Sequence, residues 1–584
     1  MASINGATNG TKRKAPPSPP IARKRAKDES SPFDHSRKEE EYGIVDRQFY
    51  PQQMSNERCA MYVSKEIEKP IETLQRTQEE TKEIRKHVSV KNAVVHWFKR
   101  DLRIADNKAL RLASEKAKSK NVPLICLYIV SPGDFKAHMT SPVRVDFILR
   151  TLEILREDLA EFDIPLYMET VDKRRAIPER ILELCGSWGA SHLFANVEYE
   201  VDELRREARL TRLAAGRGIA VEVVADTCVV APGELSTGAG KQYAVYSPWF
   251  RAWLAYLKAH PHHLNLIEPP MSNPESARNN FNNLFDVPVP EAPKNKSLTE
   301  EEKKRFSSMW PAGEHEARAR LHKFVTERIK KYKETRNFPA ANSTAVISPH
   351  LASGTLSTRT AVAAAQDANS TKKLDGGNEG TAGWISELGW RDFYKHVLVH
   401  WPYVCMNKPF KPEYTDIEWE YDQDLFDKWC NGMTGYPFID AAMRQLRQMG
   451  YMHNRARMGV ASFLAKDLMI DWRMGERYFM ENLIDGDFAS NNGGWGFSAS
   501  TGVDPQPYFR IFNPILQSEK FDPDGDYIRR WVPELAGVKG KAIHDPHHRG
   551  ATGVKAYPQM CVDHKESRNR ALARYKNGLG RDTA

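Results

Sequence analysis

At 584 residues the chain is long enough for two or more domains, while its longest apolar run, VPLICLYIV over 122–130, is far short of the roughly 18–20 residues that span a bilayer. No apolar stretch opens the sequence, and seven cysteines (59, 126, 185, 228, 405, 430, 561) contain no CxxC pair, which argues for a soluble protein of a reducing compartment and against a thiolate metal site. The net charge of +9 is concentrated: residues 1–27 hold seven Lys or Arg and no acid, so +2 remains for the rest, and a nucleic-acid surface must come from local clustering.

Residues 1–88 are Pro-, Ser- and charge-rich and read as a disordered extension. Within it KRKAPPSPPIARKRAK (12–27) has two basic clusters, the form of a bipartite nuclear-import signal. A solvated basic tail and a mitochondrial presequence are the alternatives, and four prolines oppose the second. From 89 to 225 short apolar runs, NAVVHWF (92–98), PLICLYIV (123–130), IPLYMET (164–170), HLFAN (192–196) and IAVEVV (219–224), alternate with helical stretches, which predicts a parallel α/β sheet. Residues 226–310 read as a long connection, and GELSTGAGK (233–241) lacks the spacing of a phosphate loop. From 311 to 560 the periodicity is helical, so an all-α domain follows the α/β one, and 561–584 form a basic tail.

Four clusters carry chemistry. In YMHNRARMGVASFLAKDL (451–468), Asn454, Arg457 and Met458 share a helix face while Arg455 points elsewhere. A helix end with solvated arginines would give the same pattern. In WISELGWRDF (384–393), Trp384, Glu387, Trp390 and Arg391 fall on one arc. A carboxylate between two indoles suits a pocket for something flat and polar, though Glu387 and Arg391 could form an intrahelical ion pair. DGDFASNNGGWGFSAS (485–500) sets Asp485, Asp487 and Asn491 among small residues, and the Thr- and Ser-rich NSTAVISPHLASGTLS (342–357) before a helix suits a phosphate. No His/Asp/Glu grouping suggests a metal.

Together these clusters resemble the photolyase/cryptochrome family over about 92–560, nearest to its class I branch of eukaryotic type that acts on cyclobutane pyrimidine dimers. The resemblance implies an N-terminal Rossmann-like α/β antenna domain and an all-α domain holding FAD. Tyr332 and the run Thr344, Ala345, Val346, Ile347, Ser348 then wrap the FAD phosphates, and Trp384, Arg391, Asn454, Arg457, Asp485, Asp487 and Asn491 line the cofactor. Arg457 is expected to pair with Asp485, and the Asn491 amide to accept from flavin N5–H, which favours a repair enzyme. Trp495, Trp472 and Trp419 match an electron-hopping chain.

The implied reaction is light-driven electron transfer from reduced FAD to a dimer flipped out of DNA, with Glu387, Trp390, Asn454 and Met458 around the dimer. Phe497 forms an aromatic wall, and Arg336, Arg455, Arg510, Gln517 and Lys520 lie near the lesion-strand phosphates. Glu203 and Cys405 match antenna contacts, with methenyltetrahydrofolate favoured over a deazaflavin or an empty site. The expected protein is a nuclear monomer, with mitochondrial targeting also open, without a membrane or metal partner. A blue-light photoreceptor signalling through a protein partner is the rival reading, and a light-independent flavin oxidoreductase a more distant one.

Overall fold

A computed structural model describes residues 41–42 and 56–580. The basic segment 12–27 lies outside them. The expected disorder does not extend to 56–87, which form helices α1 (Asn56–Ser64), α2 (Pro70–Glu80) and α3 (Lys82–His87). Few apolar residues mark this stretch, but those present are well used. Cys59, Tyr62 and Leu74 are buried, Gln78 donates to the Val223 carbonyl at 2.8 Å, and Arg85 pairs with Glu222 at 2.5 Å. A low apolar count therefore coexists with order, because a domain already folded supplies the other half of the core.

Five parallel strands, β1 (Ala93–Phe98), β2 (Leu124–Val130), β3 (Leu166–Thr170), β4 (Ala190–Asn196) and β5 (Ala220–Val224), run in the order β3-β2-β1-β4-β5. Alternate β1 residues enter different cores: Val94 and Phe98 meet Leu110 and Leu152, while Val95 and Trp97 meet Ile181, Leu204 and Ala208. Helix α4 (Val201–Ala215), covering the second face, carries Glu203. The strand order reverses at the β1/β4 junction, where open α/β sheets form a crevice beyond the strand carboxyl ends.

The connection 226–310 is only partly irregular. Helix α5 (Tyr246–Ala259) buries Trp249 and Trp253 against the helical half. That half contains the elements that build the site: α6 (Ser348–Ser353), α7 (Glu379–His400), α8 (Asn454–Ser462), α9 (Trp472–Asn482) and α10 (Phe488–Ala499). The expected basic tail is in part helix α11 (His564–Gly578), with Ala571 and Tyr575 fully buried. No helix among the described residues is long and apolar enough to cross a membrane.

Candidate active site

The run Thr344–Ser348 turns sharply before α6. Val346 sits at φ 49° and Ile347 at φ −99°, ψ 3°. A left-handed residue followed by a right-handed one turns consecutive backbone N–H groups toward one concave side, the geometry that cradles anions. A β-branched residue in that region costs about 1–3 kcal/mol, so the surrounding contacts must impose it. Ser348 Oγ donates to Asp485 at 2.6 Å, and Arg457 Nη2 reaches both oxygens of the same carboxylate at 3.0 and 2.8 Å. The expected Arg457–Asp485 pair is thus present, with Ser348 as a third member. Phe324 packs on Tyr332 and Trp384, with ring centroids 5.9 and 5.1 Å away, placing both predicted aromatic residues along one wall.

Arg391 is held by carbonyls, donating to Thr227 at 3.0 Å and Leu351 at 3.2 Å, and to Thr358 Oγ1 at 2.7 Å. It does not pair with Glu387. With Lys395, Asp487, Glu198 and Glu200 it lines a cavity between the two halves. Burial alone would raise the Asp487 carboxyl, but Lys395, 2.9 Å away, and Arg391 hold it far below the usual carboxylate range. Asp487 also caps α10 by accepting from the Ser490 N–H and hydroxyl, at 3.1 and 2.8 Å.

Glu387 pairs with Arg336 while its side chain stays 36% exposed. Burial raises its carboxyl above the ordinary value, against the pull of Arg336 and Arg455. Beyond it α8 begins with exposed Asn454, and Met458 follows one turn later, half-buried. His453 caps this helix, accepting the Arg455 N–H at 3.2 Å, and burial lowers its imidazole to about 4. Arg455 donates to Asn337 Oδ1 at 2.6 Å and lies 4.3 Å over the Phe521 ring, on which Lys520 also sits. Arg455 and Lys520 therefore belong to one surface, with Gln517 half-buried on the helix of Lys520 and Arg510 exposed nearby in sequence.

Trp390 stacks on Tyr246 of α5 at 3.6 Å and 10°, and meets the edge of Phe497 at 6.5 Å. Asn491 donates its Nδ2–H to the Glu476 carbonyl at 2.9 Å, leaving Oδ1 as the atom available to accept. Trp419, Trp472 and Trp495 are each under 5% exposed. Trp495 contacts Trp429 and Phe479 (6.0 and 5.1 Å), and Trp419 contacts Tyr575 (6.0 Å). Gly475 makes room for Trp495, since a Cβ there would lie 2.1 Å from its ring.

The two predicted antenna residues do not share a site. Glu203 lines a cavity at the carboxyl ends of β1, β2 and β4, with Trp97, Tyr128, Asp134, His138 and Arg206. It accepts from His138 at 2.8 Å and pairs with Arg174. Cys405 is absent from that lining and is fully buried in the helical half, in one core with Cys59 and Tyr62 of α1. The reading of the N-terminal segment as disordered hid this cover. Asp134, His138 and Glu203 alone have spacing for a cation among the described residues, and Arg174, paired with both acids, supplies the positive charge there.

Sequence reasoning missed Tyr246, Lys395, Trp429 and Tyr575. Lys395 had a signal, four residues beyond Arg391 on one face of α7. Tyr246 lay in the aromatic-rich SPWFRAWLAYL, read only as connection.

An anion cradle, an aromatic wall, a carboxylate fixed by arginine and an amide oxygen fit a flavin dinucleotide. The comparisons agree. Residues 94–271 match the DNA photolyase family and 384–577 the FAD binding domain of DNA photolyase. The chain is 61% identical over 559 residues to a deoxyribodipyrimidine photo-lyase of Neurospora crassa, covering 93% of this chain and 91% of that one. It is 35% identical to the mitochondrial deoxyribodipyrimidine photo-lyase of Saccharomyces cerevisiae, covering 92% and 96%. A class III photolyase structure from Agrobacterium tumefaciens superimposes with a TM-score of 0.73 at 34% identity, covering 85% of this chain and 99% of that one. A parallel α/β half joined to a helical half with this cofactor site, and relatives matched along nearly their whole length, place the chain in the photolyase/cryptochrome family.

Proposed function

We propose that this chain is a light-dependent DNA repair lyase that binds cyclobutane pyrimidine dimers and splits them with FAD as cofactor. The observation that carries the reading is Glu387: a half-exposed carboxyl, raised by burial, gripped by Arg336 and within the field of Arg455. Reduced FAD, when bound, supplies the electron on photoexcitation. Tyr332, Val346, Ile347 and Ser348 would hold its phosphates, Trp384 would pack on its apolar part, and Asn491 Oδ1 would accept a hydrogen bond from a ring N–H. Thr344, Ala345, Arg391, Asn454, Arg457, Asp485 and Asp487 complete that lining. Lys395 keeps Asp487 ionised beside it.

The dimer docks against the wall formed by Trp390 and Phe497, whose apolar surfaces exclude water, with Asn454 and Met458 on the side of α8. In its protonated form the Glu387 carboxyl donates a hydrogen bond to a dimer carbonyl oxygen and so offsets negative charge there as the C5–C5 and C6–C6 bonds break. The electron then returns, so the reaction is redox-neutral. Arg336, Arg455, Arg510, Gln517 and Lys520 position the strand through its phosphates without reading sequence. Trp419, Trp472 and Trp495 carry electrons inward to reactivate an oxidised cofactor. The cavity at Glu203 would hold the antenna, methenyltetrahydrofolate, which absorbs light when bound, without Cys405 as its wall. In domain terms, 89–225 is the antenna unit and 311–560 the catalytic unit. The segment 12–27 directs the protein to the nucleus, and the chain acts as a monomer.

The test uses photoreduced protein mixed in the dark with an oligonucleotide bearing one cyclobutane dimer, then illuminated. Light-dependent recovery of intact thymines, absent with a (6–4) lesion, is the expected result. No repair with FAD bound and fully reduced would overturn the reading in favour of a photoreceptor.

A further inference from the structure

Lys466 is 1% exposed, on a π-helical turn (Phe463–Asp467) between α8 and α9. In that turn the Leu468 N–H reaches back five residues to the Phe463 carbonyl at 2.9 Å. Such turns insert one extra residue and re-aim side chains. Burying an ammonium is costly, and a methionine would follow the same path through apolar surroundings at no such cost. Burial lowers the Lys466 amine to about 7, and even the neutral amine keeps two N–H donors.

Both acceptors are neutral and ten residues apart in sequence: Ser500 Oγ at 2.9 Å and the Arg510 carbonyl at 3.1 Å. Ser500 sits at φ 65°, the left-handed residue that ends α10. The chain between keeps Thr501, Val503 and Gln506 buried and turns outward at its far end, where Phe509 is 61% exposed and Arg510 exposed. The amine therefore fastens both ends of one loop whose far end lies at the surface. Helix α11 braces the same place from behind, where Asp467 pairs with His564 and accepts Arg570 on its carbonyl at 2.7 Å.

We propose that Lys466 is a positioning residue for DNA binding, tying Ser500 to the Arg510 carbonyl and so fixing the loop that presents Phe509 and Arg510 to the lesion-bearing strand. The proposal rests on the repair reading above. Lys466→Met removes both hydrogen bonds, and Ser500→Ala removes one acceptor while leaving the lysine in place.

The measurement is dark binding of the FAD-loaded protein to an oligonucleotide with one cyclobutane dimer, across a salt series, beside repair kinetics, FAD content and thermal melting. Expected for Lys466→Met is an affinity loss of about tenfold, the equivalent of roughly one net hydrogen bond. The slope of log affinity against log salt should also fall by about one phosphate contact. KM rises while kcat at saturating DNA and FAD content hold. Ser500→Ala should lose about threefold with the same pattern. Unchanged affinity and slope in both variants would overturn the proposal. So would a lower melting temperature and FAD content with an unchanged salt slope, which a purely structural lysine would produce. If Lys466→Met does not fold, Ser500→Ala decides. Failure of the wild-type protein to bind or repair the dimer would instead sink the repair reading, so the two failures are separable.

Discussion

The surroundings of Glu203 and of Glu387 use charge in opposite ways. In the α/β half, ionisable side chains around the cavity are paired with one another: Arg174 reaches Asp134, Asp202 and Glu203, Lys99 pairs with Glu207, and Arg206 with Asp134 and Glu198. In the helical half, Glu387, Arg336, Asn454 and Arg510 remain half-exposed or exposed. A buried closed network resists rearrangement, because removing one member strands the others in a low dielectric. Partly solvated groups keep spare hydrogen-bonding capacity for a substrate. On this contrast the first region is built to stay fixed around a passive group, and the second to exchange partners when DNA arrives.

The largest effect is expected for Arg174→Met, which leaves three carboxylates without their shared cation. It should cost about 3–5 kcal/mol of stability, read as a lower urea midpoint, with repair per bound FAD unchanged. Lost repair at full FAD occupancy would show that the network does more than hold shape. In the other half Glu387→Ala should lower repair per absorbed photon by about tenfold to a hundredfold, while melting moves little. A large loss of stability with normal repair would invert the contrast.

Within the helical core Gly475→Ala perturbs a single contact. Its Cβ cannot coexist with the Trp495 ring, so the variant should lose about 1–3 kcal/mol and photoreduce more slowly. Repair by chemically pre-reduced protein should survive. The smallest effect concerns His453, whose burial holds the folded pKa near 4 against 6.5 unfolded. The neutral form is favoured in the fold, so the stability it contributes is complete above about pH 6.5 and is lost as pH falls toward 4. Relative to pH 7 the loss should reach about 2 kcal/mol at pH 5, and His453→Asn, which still caps α8, should flatten that dependence.

Legibility followed the range of the interactions. Asn454, Arg457 and Met458 could be read from spacing because they belong to one helix, and Trp384 with Arg391 for the same reason. Glu387 could not be assigned its partner: Arg391 lies four residues away on the same helix, yet the carboxylate pairs with Arg336, 51 residues distant. Local geometry permits the nearer pair, but Arg391 is claimed by the Thr227 and Leu351 carbonyls. The same limit hid the stacking of Tyr246 on Trp390 and the burial of Cys405 beneath α1.

The alternation of strands and helices, the switch to an all-helical half, and the residue types gathered at the candidate site could be read along the chain alone, because periodicity of 2 or 3.6 and small-residue loops are local properties. The order of 56–87, the separation of Glu203 from Cys405, and the link from Lys466 to Ser500 and Arg510 arise only in the packed chain. Those outcomes depend on which surfaces meet. A side chain takes the partner that the packed chain brings within about 3 Å, whatever its neighbour in sequence offers.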